Sequence, residues 1–313
     1  MSDPGFRSLP DAELFSVTTP DGADLPVYAV GGPADAPGVL VAHANGLSAG
    51  SYGPWLDDLA RDVRVFAFDA RGHGGSSWPA GPLDQVFHVD RFAEDLALVA
   101  QAVAARLDGA ALHLAAHSLG AAAALRFGLG GATLPWSRSV LFEPPVFPPP
   151  TSSHYAEAAA KQTPLIERSA ARRADWPSPE ALAQALGTRG VFARFRPDLL
   201  AAHCRGTLRP CREGGYTLAC PPAVESAIFL NHRVADTWQR LQAFAGAAHL
   251  VGGDDASPER GWVSAVLSDM AARIPGARLT QLPGTDHMMI FEEPETCRRL
   301  VLREIVAEGA SHA

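Results

Sequence analysis

The sequence of 313 residues is short of positive charge and of cysteine, and each shortage excludes a class of protein. Its 26 Lys and Arg stand against 34 Asp and Glu, which gives a formal net charge of −8. Binding to nucleic acid needs clustered basic residues that neutralise phosphates, and no basic run is present. We therefore expect no nucleic-acid partner. Four cysteines in a chain of this length do not make a disulfide framework.

Long apolar runs and targeting signals are also missing. The first 15 residues carry Asp3, Asp11 and Glu13 and lack the basic and apolar regions of a signal peptide. No apolar run reaches the roughly 18 residues that a membrane-spanning helix needs. We therefore predict a cytoplasmic protein without a membrane span, which acts as a monomer or a homodimer. Hydrophobic residues make up 47% of the chain, enough for a sizeable core.

Strand and helix patterns alternate over most of the chain. An antiparallel hairpin is predicted first, over 13–18 and 24–30, with a Pro-Asp-Gly turn between its strands. Short apolar runs, typical of buried parallel strands, then alternate with segments of helical spacing. We predict strands over 38–43, 63–69, 111–116, 139–143, 247–252 and 278–282. This alternation indicates βαβ units and an α/β fold with a largely parallel sheet.

The alternation is interrupted by a long insertion that begins in a proline-rich stretch at Pro144. Residues 151–237 contain helical patches and no good strand, and we predict helices over 156–174, 179–187 and 222–232. We therefore predict a core formed by residues 1–143 and 238–313, with a helical cap over residues 144–237. An insertion of about 90 residues is far too long to be a structureless loop.

The segment 116–120 (AHSLG) follows a predicted strand and opens an Ala-rich helix. A serine in such a tight strand–turn–helix corner is strained and exposes its hydroxyl above the sheet, which is the setting of a hydrolase nucleophile. Ala116 stands where this pattern usually has glycine. The alternative interpretation, a serine that only caps a helix, is common. The strand before Ser118 and the helix after it favour the nucleophile.

A base and an acid for Ser118 are found farther along the chain. His287 follows the last predicted strand, where a histidine can reach a serine at the carboxyl edge of the sheet. Asp255 ends the strand after the insertion and comes between Ser118 and His287, in the order this architecture uses. Glu143, at the end of the strand before the insertion, also lies at the carboxyl edge. We favour Asp255 as the acid, with Glu143 as the alternative.

Two loops at the ends of earlier strands complete the candidate site. In residues 43–46 (HANG), small side chains leave backbone N–H groups free, and we assign the oxyanion donors to the N–H groups of Asn45 and Leu119. By itself, the Asn-Gly pair would favour an ordinary turn. The glycine-rich residues 69–76 match neither the spacing of the dinucleotide-binding motif nor that of the phosphate-binding P-loop. We predict a structural loop there and no catalytic role for His73.

Three cysteines, Cys204, Cys211 and Cys220, lie close together in the predicted cap near His203. Their spacing is wider than the paired spacing of zinc ligands, and a disulfide is disfavoured in a reducing cytoplasm. We predict free thiols packed in the cap. No metal and no organic cofactor is expected for the chemistry at Ser118.

Taken together, the segments HANG, DARGHGGS, AHSLG, GGDD and GTDH resemble the α/β-hydrolase superfamily in order and spacing over nearly the whole chain. The resemblance implies an eight-stranded, mostly parallel sheet with helices on both faces and a helical cap after the sixth strand. More narrowly, the chain is similar to a bacterial group with a HANG-type oxyanion segment. In that group a Glu-Pro pair like Glu143-Pro144 often ends the sixth strand, and an Asp is often missing at the position of Asp255. Haloalkane dehalogenases and epoxide hydrolases have a nucleophilic Asp where Ser118 stands, which disfavours both.

The chemistry predicted for Ser118 is hydrolysis of a small-molecule ester or lactone through an acyl-enzyme. Three alternatives stay open: hydrolysis of a carbon–carbon bond, cofactor-free perhydrolysis, and a non-catalytic ligand-binding protein of the same fold. We expect aromatic residues of the cap either to line the substrate pocket or to form the cap's own core: Phe147, Trp176, Phe192, Phe195 and Phe229.

Overall fold

The computed structural model describes residues 5–231, 233, 235–254 and 261–309. Within these residues the chain forms the following strands: β1 (Glu13–Thr18), β2 (Asp24–Gly31), β3 (Gly38–Ala42), β4 (Arg64–Phe68), β5 (Leu112–His117), β6 (Arg138–Phe142), β7 (Asp175–Trp176), β8 (Leu208–Pro210), β9 (Tyr216–Leu218), β10 (Ala247–Gly252) and β11 (Arg278–Gln281).

Helices connect these strands. They are α1 (Gly53–Leu59), α2 (Leu83–Val86), α3 (Val89–Ala104), α4 (Leu119–Gly128), α5 (Tyr155–Ala170), α6 (Pro179–Leu186), α7 (Pro197–Thr207), α8 (Pro222–Asn231), α9 (Ala235–Arg240), α10 (Trp262–Arg273), α11 (Met289–Glu292) and α12 (Pro294–Gly309). Short 3₁₀ helices cover Ala49–Tyr52, Gly190–Arg194 and Leu241–Ala243. In the part of the chain described, no helix is both long and apolar enough to cross a membrane.

Eight of the strands form one sheet in the order β1-β2-β4-β3-β5-β6-β10-β11. The pairs β1–β2 and β2–β4 are antiparallel, and every other neighbouring pair is parallel. The predicted hairpin and the predicted α/β fold with a mostly parallel sheet are confirmed. Because parallel strands end at the same edge, the loops that follow β3, β4, β5, β6, β10 and β11 meet along one side of the molecule.

Both faces of the sheet are covered by helices, and the strands alternate between two apolar clusters. In β3, Leu40 and Ala42 pack into the cluster that contains side chains of α3, α4 and α10. Val39 and Val41 point to the other cluster, with side chains of α1 and α12. A strand that is buried on both faces reads as a continuous apolar run, which is why the central strands could be predicted from the sequence.

The segment between β6 and β10 contains helices α5 to α9 and also a small sheet of order β7-β9-β8. The expectation that this insertion has no strand is therefore wrong. Strands of two and three residues are too short to show the alternation from which strands are predicted. Several side chains of the insertion, including Val146, Val224 and Ile228, join the same apolar cluster as α3 and α4. The limits of core and cap given above stay a prediction.

Candidate active site

Ser118 lies in the corner between β5 and α4, with a backbone φ of 51° and ψ of −108°. A left-handed φ is unfavourable for any residue except glycine, so the surroundings must hold this conformation. Its N–H donates to the carbonyl oxygen of Phe142 on β6 at 2.9 Å. The residue is 5% exposed. The corner is the strained strand–turn–helix that the sequence predicts around Ser118.

The corner also requires Gly120. A Cβ on this residue would lie 2.6 Å from the Cβ of Ala42 and 2.7 Å from its carbonyl oxygen. The close approach lets the Gly120 N–H donate to the carbonyl oxygen of His43 at 3.2 Å, which joins the start of α4 to the HANG loop. Ala116 needs no glycine, because it is still part of strand β5 and its backbone φ is not positive.

His287 connects the serine to a carboxylate. Its Nε2 lies 3.0 Å from Ser118 Oγ, and its Nδ1 lies 2.6 Å from Glu143 Oε2. The histidine side chain is 29% exposed, whereas the Glu143 side chain is fully buried. Since a carboxylate can only accept, Nδ1 carries the proton and Nε2 is free to accept from the serine hydroxyl. The structure thus brings Ser118, His287 and Glu143 into one hydrogen-bonded chain.

The preferred acid of the sequence analysis, Asp255, lies outside the described residues. The carboxylate that the structure places on His287 is the alternative, Glu143. Glu143 follows the last residue of β6 and has a φ of 43°. Its Oε1 accepts from the N–H of Gly253 at 2.8 Å and from the hydroxyl of Ser264. Both carboxylate oxygens are therefore occupied by donors.

These contacts set the charge of the two titratable groups. Burial by itself would raise the pKa of Glu143, but the hydrogen bonds from His287, Ser264 and Gly253 hold it below its usual value. Burial by itself would lower the pKa of His287, but the hydrogen bond and the charge of Glu143 hold it above its usual value. At neutral pH Glu143 is therefore ionised, and its negative charge favours a proton on His287.

The two predicted oxyanion donors lie on the HANG loop and at the start of α4, which the hydrogen bond from Gly120 to His43 joins. In the part of the chain described, neither the N–H of Asn45 nor that of Leu119 has a hydrogen-bond partner. Leu119 is the first residue of α4, where the helix dipole favours negative charge. The side chain of Asn45 is not free: its Nδ2 donates to the carbonyl oxygen of Glu225 on α8 at 3.0 Å.

Two buried histidines support the loops around Asn45. His43 donates from Nδ1 to the carbonyl oxygen of Ala44 at 2.8 Å, and its Nε2 accepts from the N–H of Ala70 at 2.9 Å. His73 Nε2 accepts from the N–H of Gly46 at 3.0 Å. Burial lowers the pKa of both rings, that of His73 to about 3, so both stay neutral. That His73 has no catalytic role stays a prediction, and the hydrogen bonds of His43 were not predicted from the sequence.

Three residues near the triad were not predicted from the sequence: Ser264, Tyr52 and His117. Ser264 contacts Glu143, and Tyr52 and His117 hydrogen-bond to each other beside His287. Only the position of His117, next to the nucleophile, could have drawn attention to it. Ser264 is separated from Glu143 by 121 residues, and no local pattern marks that contact.

The aromatic residues of the insertion mostly pack against protein. Phe195 stacks on Phe291 with ring centroids 4.5 Å apart, and Phe147 packs against Trp262 at 5.4 Å. Phe192 stacks on His203. Cys204, Cys211 and Cys220 are free thiols, as predicted. No cluster of His, Cys, Asp or Glu suited to a metal ion occurs among the residues that the structure describes.

The chain also matches the model of a known protein family. The model of the alpha/beta hydrolase family matches residues 39–300, a range that includes Ser118, Glu143 and His287. The chain belongs to this family. Among curated proteins, no sequence matches this alpha/beta hydrolase.

Solved structures of other alpha/beta hydrolases share the fold over nearly the full chain. E-2-(acetamidomethylene)succinate hydrolase aligns with a TM-score of 0.73 and 19% identity, covering 93% of this chain and 98% of the other. The peroxisomal hydrolase Lpx1 of Saccharomyces cerevisiae has a TM-score of 0.72 and 12% identity, with 96% and 89% covered. A thermophilic esterase from Thermogutta terrifontis has a TM-score of 0.64 and 20% identity, with 94% and 99% covered. At these identities the likeness is one of fold.

Proposed function

We propose that this alpha/beta hydrolase is a serine hydrolase that cleaves a small-molecule carboxylic ester or lactone through an acyl-enzyme on Ser118. The observation that carries the proposal is the hydrogen-bonded chain from Ser118 Oγ through His287 to Glu143, with distances of 3.0 and 2.6 Å. A nucleophile, a base and a carboxylate that orients the base are the parts that acyl transfer needs.

Acylation begins when His287 Nε2 takes the proton of Ser118 as its oxygen attacks the carbonyl carbon of the substrate. Glu143 keeps the imidazole in the required tautomer and stabilises its positive charge without itself taking the proton. The N–H groups of Asn45 and Leu119 hold the oxyanion of the tetrahedral intermediate. His287 then gives its proton to the leaving alcohol oxygen, and the acyl group stays on Ser118.

Deacylation repeats these steps with water. His287 Nε2 takes a proton from a water molecule as its oxygen attacks the acyl carbon, and the same two N–H groups hold the second oxyanion. Collapse of this intermediate breaks the bond to Ser118 Oγ, which takes back a proton from His287. The products are a carboxylic acid and an alcohol, and the cycle uses only this chain's residues and water. The insertion over residues 144–237 acts as the cap in this proposal and shapes the substrate pocket.

A fluorophosphonate probe tests the nucleophile without knowledge of the substrate. We expect the protein to be labelled at Ser118 and the label to be lost in Ser118→Ala. Ser139→Ala is the matched control, because Ser139 is another buried serine whose hydroxyl donates to the carbonyl of Ala247, far from the triad. Label on another residue would disprove the role of Ser118. A folded, unlabelled protein that binds small apolar molecules would be a non-catalytic binding protein.

The substrate class is tested by p-nitrophenyl esters of graded acyl length, assayed beside lactones, a thioester and a 1,3-diketone. We expect ester or lactone turnover that is lost in Ser118→Ala and retained in Ser139→Ala. Turnover of the diketone alone would instead indicate a carbon–carbon bond hydrolase on the same three residues.

A further inference from the structure

A second hydrogen-bonded chain runs behind the triad and connects the HANG loop to the loop of the base. The N–H of Ala44 donates to the hydroxyl of Tyr52 at 3.2 Å, and this hydroxyl lies 2.7 Å from Nδ1 of His117. Nε2 of His117 lies 2.9 Å from the carbonyl oxygen of His287. Tyr52 and His117 are both fully buried or nearly so, with exposures of 0% and 1%.

The chemistry of these groups allows only one direction for the chain. A carbonyl oxygen can only accept, so Nε2 of His117 carries the proton and donates to His287. Nδ1 of the neutral ring must then accept, and the hydroxyl of Tyr52 is its donor. Burial, helped by the neighbouring His287, lowers the pKa of His117 to about 3, and burial raises the pKa of Tyr52 far above its usual value. Both groups are therefore neutral at neutral pH, and each hydrogen bond keeps the same donor and the same acceptor.

We propose that Tyr52 and His117 are positioning residues, which hold the main chain of His287 and of the oxyanion loop in a fixed relation to the nucleophile. The inference rests on the proposed function. His117 is the residue before Ser118, so its bond to the carbonyl of His287 ties the base directly to the corner of the nucleophile. Tyr52 extends the tie to Ala44, the residue before the oxyanion donor Asn45.

The packing around Tyr52 and His117 restricts the movement of both side chains. The ring of Tyr52 packs against Phe291 with centroids 4.9 Å apart and against Trp55 at 6.3 Å. The ring of His117 packs against that of His287 at 5.2 Å. Catalysis depends on the placement of the base to within a fraction of an ångström, and an error of about 1 Å can lower a rate about 100-fold. The Tyr52–His117 tie restricts the main chain that bears this base.

The first test removes one oxygen atom. In Tyr52→Phe, His117 loses the donor to Nδ1 and can adopt the other tautomer, which cannot donate to His287. We expect the fluorophosphonate labelling rate and kcat for an active ester to fall about 10-fold, with KM unchanged within about 2-fold. Tyr28→Phe is the matched control, because the hydroxyl of Tyr28 is equally buried and donates to Asp69 instead. We expect Tyr28→Phe to lower Tm as much as Tyr52→Phe does, while its labelling rate stays that of the wild type.

The second test distinguishes the hydrogen bond that His117 donates to His287 from the one that it accepts from Tyr52. Glutamine can place an N–H where Nε2 donates to His287, whereas phenylalanine keeps the ring shape and has no donor. We expect His117→Gln to retain several times the labelling rate of His117→Phe. Normal labelling and normal kcat in Tyr52→Phe, or an equal loss in Tyr28→Phe, would overturn the inference. A wild-type protein without label at Ser118 would instead overturn the proposed function, so the two failures are distinguishable.

Discussion

Ser118 and Glu143 are two of the three non-glycine residues with a positive φ in the described part of the chain, at 51° and 43°. They stand at opposite ends of the hydrogen-bonded chain through His287. A left-handed backbone costs about 1–3 kcal/mol, and the surrounding contacts must supply it. Ser118 is held by its bond to β6, and the carboxylate of Glu143 is held by Gly253 and Ser264. Backbone strain is therefore found at the two residues whose side chains must be oriented towards His287.

Replacement of the acid gives the first residue-scale prediction. Glu143→Gln keeps the shape of the side chain but removes its charge, and the amide can hold His287 in the wrong tautomer. We expect kcat to fall by about 10³ to 10⁴-fold, the size of effect known for an amide at the acid position of such triads. Asp255→Asn is the control and should leave kcat within about 3-fold of wild type. The opposite ranking would restore Asp255 as the acid.

The same variant changes the pH profile in a defined direction. His287 must be neutral to act as a base, so activity is lost as the pH falls through its pKa. The contact with Glu143 raises that pKa above 6.5, and removal of the charge lowers it. The acid limb of kcat/KM is therefore expected above pH 6.5 in the wild type and at lower pH in Glu143→Gln. An acid limb that does not move would show that Glu143 does not act on His287.

The proposed nucleophile and base, Ser118 and His287, are each marked in the sequence by a local pattern at a strand end. The proposed acid is not. Both Asp255 and Glu143 follow strands that end at the same edge, and chain order alone favours Asp255. The choice depends on the left-handed turn at Glu143 and on the hydroxyl of Ser264, which α10 supplies. Neither feature can be recognised from the residues next to Glu143 in the sequence.

At the scale of elements, the approach of α4 to β3 determines whether the corner at Ser118 can form. Gly120 leaves no room for a side chain against Ala42. We expect Gly120→Ala to lower the free energy of unfolding by about 1–3 kcal/mol, because backbone and not a flexible side chain must move. It should also slow fluorophosphonate labelling, since the bond from Gly120 to the HANG loop is disturbed.

Gly53→Ala is the matched control, and urea unfolding is the measurement. A Cβ at Gly53 would meet only Leu9, at an ordinary 3.5 Å, at the start of α1. Alanine is the better helix former by about 1 kcal/mol, so this variant should be as stable as wild type or more so. Equal losses in the two variants would contradict the steric argument.

The long elements could be predicted, whereas the short ones of the insertion could not. β1 and β10 have the predicted bounds. Helix α7 was missed, although Pro197 at its first position and Asp198 in its first turn are start signals. Strand β7 has two residues and no period at all. Its pairing with β9 depends on contacts between distant parts of the chain.

The whole molecule buries several histidines in neutral form, and this makes its stability depend on pH. Burial lowers the pKa of His73, His117 and His203 to about 3 each. In the unfolded chain each takes up a proton near pH 6.5, so the folded state binds fewer protons between these values. Stability is then complete above pH 6.5 and decreases as the pH falls, by about 1.4 kcal/mol per pH unit for each histidine.

We therefore expect the protein to unfold between about pH 5.3 and pH 3, since a whole domain has only about 5–15 kcal/mol of stability and the three histidines together remove about 4 kcal/mol per pH unit below pH 6.5. Urea unfolding at pH 7.5, 6.5 and 5.5 measures the slope. His203→Gln should reduce this slope by about one proton, because it removes one buried histidine that lies outside the proposed triad and its oxyanion donors. A free energy of unfolding that does not change between pH 7.5 and 5.5 would contradict this account.

The position of Glu143 just before Pro144 has a consequence for engineering the protein. If Glu143 is the acid, as proposed, the start of the insertion directly follows a residue of the triad. An exchange of caps between hydrolases would have to begin after Pro144, so that the left-handed turn at Glu143 survives the graft. A graft that begins before Glu143 would remove the residue that contacts His287, and we expect it to abolish the proposed activity.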